Sequence, residues 1–201
     1  MSRECDRIAR KVIGSRSSSV FNPPCRDVVE TAVVRGNGYE LKDDIYDKMN
    51  KKNQKITGKG VMRQGLNIAP GIAEVNDLIL EEKDDCEVTI LEGHPEGCFR
   101  AFADESLEFS KRTAPGFPER LRLLESFDDY PENTWKRLAI ELGDRGMTSG
   151  FDDLVEALAL AMAARSEELQ SIPRNPPSDA NGLLMQMKYR RENPFDLRMY
   201  N

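Results

Sequence analysis

Val88-Thr89-Ile90-Leu91-Glu92-Gly93-His94-Pro95-Glu96-Gly97-Cys98-Phe99 changes character halfway along its length. Val88 to Leu91 is apolar and β-branched, the composition of a buried strand. Glu92, His94 and Glu96 then alternate with Gly93 and Pro95, Phe99 opens a new element, and a helix is expected to continue after it through Ala103. The chain's one histidine thus stands between two carboxylates at the end of the expected strand. Ligands gather at the carboxyl ends of strands in α/β folds, so chemistry is sought here first. The same residues also read as a plain turn, with Gly93 and Pro95 as turn formers and Glu96 as an ordinary first-turn helix acid. Glu-x-His-x-Glu is not a tight metal signature, and no second histidine exists to complete one.

Composition bounds the possibilities. The 201 residues suffice for one domain with a core, expected over 1–189, with 190–201 as a C-terminal tail. Charged residues make up 32% of the chain and its net charge is −6, which excludes general affinity for nucleic acid. A phosphate backbone has to be met by a local basic patch or by metal ions. Cys5, Cys25, Cys86 and Cys98 form no C-x-x-C pair, which fits reduced thiols in a cytoplasmic protein. No run approaches the roughly 18–20 apolar residues of a membrane span.

On either side of the opening stretch, helices dominate. Residues 2–13 read as a helix with Cys5, Ile8, Ala9 and Val12 on one face, Ser2 as its cap and Gly14 as its stop. The polar loop from Ser15 to Pro24 offers hydroxyls and Arg16, either as an ordinary surface loop or as a phosphate holder. Helices are expected over 26–35 and 39–53, the second with Lys48, Lys51, Lys52, Lys55 and Lys59 on or after it. Pro70-Gly71 predicts a kink or two helices within 62–82. Ser110-Lys111-Arg112-Thr113 precedes a turn, and amphipathic helices follow over 117–127 and 131–142. The last long helix is capped at Ser149 with Asp152 three residues on, and Ala157 to Ala164 is apolar throughout, which predicts burial on every side. A closing strand is expected over 182–189. About eight helices and only two strands result, too few strands for an independent sheet.

Four groups of residues, in order along the chain, resemble the DUF429 family, whose members are predicted RNase H-like nucleases. They are Cys5-Asp6-Arg7-x-Ala9-Arg10 with Gly14, Ser18-Ser19-Val20-Phe21 and Pro24-x-Arg26; Glu92-x-His94-Pro95-Glu96 with Phe99; Ser110-Lys111-Arg112-Thr113 with Gly116 and Glu119-Arg120; and Asp152-Asp153-x-x-Glu156-Ala157. The pattern departs from the family in two ways. The family's N-terminal strands, one carrying Gly-x-Asp-Gly and one carrying an Asp before Pro-Ile-Gly-Leu, have no counterpart here, and Glu156 stands where Asp is usual. The expectation is therefore a helix-rich α/β domain, RNase H-like, with an incomplete sheet. The missing strands lie upstream of Met1, are lost, or come from another chain.

The resemblance implies metal-assisted phosphodiester hydrolysis with Mg²⁺ or Mn²⁺ held by carboxylates. Glu92, His94, Glu96, Asp152 and Asp153 are the implied catalytic residues. Glu92 and Asp152 would hold the metal, and Lys111 and Arg112 would bind phosphate. Asp153 lies about 100° round the helix from Asp152, so the two cannot serve one site equally. The implied partner is nucleic acid, with a homo-oligomer or a second chain covering the bare sheet and no membrane. A non-catalytic binding module is the alternative.

Overall fold

Helix α1 (Glu4–Ile13) carries Cys5, Ile8, Ala9 and Val12 buried on one face, as its periodicity predicts, and ends at Gly14, whose φ of +66° suits glycine. The computed structural model describes residues 4–81, 89–103, 105–145 and 150–200, so Ser2 and Ser149, both expected caps, lie outside the described residues, as do Val88 and Cys86. Two units are distinguished, one from Met1–Asp6 and Phe21–Ile90, the other from Arg7–Val20 and Leu91–Asn201. Among the described residues, helices and two small two-stranded sheets make the protein helix-rich α/β.

The first unit corrects two helix expectations. Helix α2 (Arg26–Ala32) stops where Val33 and Val34 begin a β-branched run, and β1 (Val33–Arg35) pairs antiparallel with β2 (Tyr39–Leu41). Gly36-Asn37-Gly38 supplies the tight turn, so the hairpin overrides the helical spacing of Leu41, Ile45 and Met49. Helix α3 (Tyr46–Thr57) follows and ends at Gly58 with φ +77°. Asn53, 2% exposed, accepts the Cys25 N–H and donates to the Lys59 carbonyl, locking both ends of this segment. The break predicted at Pro70 is real. Helix α4 (Arg63–Asn67) ends one residue before α5 (Ala69–Glu81), which places Pro70 in the first turn of α5 where its missing N–H costs nothing. Val28, Val29, Ala32, Met49, Leu66 and Ala73 form this core.

In the second unit, α9 (Phe151–Ala164) packs against α6 (Pro95–Ala103), α7 (Gly116–Glu125), α8 (Thr134–Asp144) and β4 (Met187–Arg190). Its inward face, Val155, Leu158, Ala159, Met162 and Ala163, meets Cys98, Phe99, Leu107 and Leu124. Burial on every side is not found. Ala157, Ala161 and Ala164 form an exposed stripe, which alanine tolerates because its methyl exposes little apolar area. Strand β3 (Leu169–Ile172) pairs antiparallel with β4, and the expected tail is anchored by Phe195, buried against the Tyr189 ring at 4.8 Å.

The strand expected over 88–91 does not form among its described residues. Ile90 and Leu91 are 41% and 43% exposed, and pairing is limited to one parallel bridge between Gly93 and Lys188, whose N–H donates to the Glu92 carbonyl at 2.7 Å. β3 already occupies the other edge of β4. The chain then leaves the free edge at Pro95, which starts α6 and has no N–H to donate. Cys5, Cys25 and Cys98 are not in disulfides, and among the described residues no helix is long and apolar enough to cross a membrane.

Candidate functional site

Pro95 starts α6 and fixes Glu92, His94 and Glu96 around one helix end. Glu92 is exposed. His94 is half-buried, with Nε2 3.3 Å from the Ser19 carbonyl and Nδ1 without a hydrogen-bond partner among the described residues. Burial pushes its pKa below the usual histidine value. The Ser19 carbonyl and the charges of Glu96, Glu156 and Glu92 oppose this in part. Glu96 turns inward to 5% exposure and accepts a 2.6 Å hydrogen bond from Arg120 Nη2.

Arg120 holds the next element. Its Nη1 donates to the carbonyls of Gly116 at 2.9 Å and Phe109 at 3.2 Å, and so frames the turn that presents Lys111 and Arg112. Gly116 is required there, because a Cβ would run into the Ser110 carbonyl oxygen. Lys111 Nζ donates to Glu156 Oε1 at 2.7 Å and lies 3.7 Å from Asp152 Oδ2. Asp152 and Glu156 are four residues apart on one face of α9, so a single ammonium reaches both. Burial lowers the Lys111 pKa, but the Glu156 hydrogen bond and the charges of Glu156, Asp152 and Glu96 outweigh it and hold the side chain charged.

Asp153 points elsewhere. Its Oδ2 accepts the Gly150 N–H at 3.3 Å, which closes the N-terminus of α9. The structure therefore sets Lys111 against Asp152 and Glu156 and within electrostatic reach of Glu96, puts Glu156 within reach of His94, and leaves Asp153 to the helix cap. Arg16, a candidate phosphate holder, donates instead to the Glu108 carbonyl at 2.9 Å.

Beside this cluster opens a cleft lined by Lys111, Arg112, Phe117, Arg120, Phe151, Asp152 and Val155. Glu156, Arg120, Phe117 and Phe151 were not among the expected site residues. Glu156 was legible from its i, i+4 spacing to Asp152. Arg120 was not, since nothing local marks an arginine as buried.

The Mg²⁺ or Mn²⁺ implied by the resemblance does not fit this arrangement as it stands. Among the described residues no three His, Cys, Asp or Glu side chains converge to hold a metal ion. The Lys111 ammonium sits between Asp152 and Glu156, and Arg120 neutralises Glu96. These carboxylates already have cationic partners.

No curated protein and no solved structure matches the chain. A family model described as a protein of unknown function, DUF429, matches residues 1–178. With nine-tenths of its length covered in one match, in agreement with the four ordered groups of residues, the chain belongs to the DUF429 family.

Proposed function

We propose that the cleft beside α9 binds the phosphodiester backbone of a nucleic acid. The observation that carries this is the placement of Lys111 and Arg112 along one cleft of a chain whose net charge is −6. An acidic protein meets phosphate through a local basic patch, and here the turn at 110–116 supplies one. Arg112 is exposed and available to a phosphate oxygen. Lys111 stays charged beside Glu156. Anisotropy of a fluorescein-labelled oligonucleotide tests this. The Lys111→Gln/Arg112→Gln double variant is expected to bind about tenfold more weakly, and to lose about 1.5 from the slope of log affinity against log salt. Equal affinity and slope in the two proteins overturn it.

A second reading is RNase H-like hydrolysis of the bound strand, with the RNase H-like fold that this entails. The electrostatic reach of Glu156 to His94, and of Lys111 to Glu96, Asp152 and Glu156, favours it, as does the order of the family motifs. In that reading further carboxylates reach the cleft from a partner chain or a second copy, because the present ones are paired to Lys111 and Arg120. Calorimetric titration of Mn²⁺ against the chain and Asp152→Asn tests it. Saturable binding that the substitution weakens supports it, and no binding to the chain alone removes this chain as a self-sufficient nuclease.

A further inference from the structure

Phe151, the first residue of α9, is 66% exposed, the largest exposure among the large hydrophobic side chains described. Its ring is nevertheless held in place. It meets Phe117 edge to face, with centroids 5.9 Å apart at 61°, and Phe117 meets Trp135 at 5.6 Å and 77°. Contacts of this geometry fix ring orientation as well as removing area from water. The exposed ring shares its cleft with Lys111 and Arg112. Arg120, 2% exposed and lining the same cleft, keeps its Nε without a hydrogen-bond partner among the described residues, although Nη1 and Nη2 are satisfied. A buried donor of this kind is costly unless something accepts from it.

We propose that Phe151 is a stacking platform for an unpaired base, so that the ligand of the cleft is single-stranded nucleic acid. This rests on the phosphate seat proposed above and adds the part of the ligand that phosphate contacts cannot specify. An aromatic face beside basic side chains is the combination that holds single strands, because every base has a π-face and every nucleotide a phosphate. A duplex hides its bases in the stack and offers Phe151 only the faces of its two terminal pairs. The oriented Phe117–Trp135 pair behind Phe151 keeps the platform ready, so stacking does not have to order a loose side chain first.

The test uses the full chain with two fluorescein-labelled probes, an eight-nucleotide thymidine oligomer and a blunt duplex of equal strand length, read by anisotropy. Circular dichroism confirms that each variant is folded. Phe151→Ala is expected to weaken oligomer binding about tenfold, within the range of one lost base stack. Phe151→Leu, which keeps apolar area but has no ring, is expected to weaken it similarly, and Phe151→Trp to retain it. The duplex is expected to bind more weakly than the oligomer and to respond less to substitution at position 151. Unchanged oligomer affinity in Phe151→Ala overturns the stacking proposal. If Lys111→Gln/Arg112→Gln still weakens binding, the phosphate reading survives alone. Full retention by Phe151→Leu also overturns stacking, since area rather than the ring would then suffice. No binding of either probe overturns both readings.

Discussion

Arg120 Nη2 donates to Glu96 Oε1 across 2.6 Å, with the two side chains only 2% and 5% exposed. The pair joins α7 to the start of α6. The same guanidinium binds the Gly116 and Phe109 carbonyls, so one side chain sets the helix end that carries His94 and the turn that carries Lys111. It also lies with its Cζ 5.5 Å from the centre of the Phe99 ring.

Removing one partner of such a pair leaves a buried charge uncompensated, which costs about 3–5 kcal/mol. Arg120→Met is therefore expected to destabilise the protein by about 3 kcal/mol or more, measured by urea unfolding followed by circular dichroism. Glu96→Gln keeps the shape and one acceptor, and its loss is expected to be smaller. Equal stability in Arg120→Met and the parent protein would show that the pair is not a structural tie.

Gly116→Ala is expected to be costly although its backbone conformation is not unusual for other residues. The added Cβ meets the Ser110 carbonyl, which is backbone and cannot swing aside. The turn has to shift, at about 1–3 kcal/mol, and Lys111 shifts with it. Thermal unfolding should show the loss, and oligonucleotide binding should fall as well. A variant of unchanged melting temperature and unchanged binding would contradict this geometry.

His94 links stability to pH. Its pKa is depressed in the folded protein, chiefly by burial, so it stays neutral there while the unfolded chain still takes up a proton near the ordinary histidine value of about 6.5. The unfolded state binds more protons between the folded pKa and about 6.5. Stability is therefore full above about 6.5 and is lost as pH falls through that window, by at most about 1.4 kcal/mol per pH unit for one proton. His94→Gln should flatten this part of the stability profile in urea titrations run between pH 7 and pH 5. A variant profile as steep as that of the parent would assign the loss to other groups.

The elements legible in the sequence are those whose signal is local. The spacing of Cys5, Ile8, Ala9 and Val12 followed by Gly14 encodes α1, and Pro70-Gly71 encodes the division between α4 and α5. The motif residues Glu92, His94, Glu96, Lys111 and Asp152 were legible as candidates, and of these Lys111 and Asp152 stand 3.7 Å apart. The Gly36-Asn37-Gly38 turn was also written locally, but helical spacing in Tyr39–Met49 masked it, since a short hairpin and a helix end share apolar residues.

By itself, the sequence determined the helical periodicities, their glycine and proline boundaries, and the acidic chain's need for a local basic turn to meet phosphate. Tertiary structure alone decided which of the site residues keep their charge for a ligand. Glu96 pairs with Arg120 across 24 positions and Glu156 with Lys111 across 45, distances at which no periodicity operates. It also decided that Ile90 and Leu91 stay outside a sheet. A β-branched run becomes a strand only when another strand's edge continues beside it, and with Gly93 opposite Lys188 in parallel register, Ile90 and Leu91 fall before β4 begins at Met187.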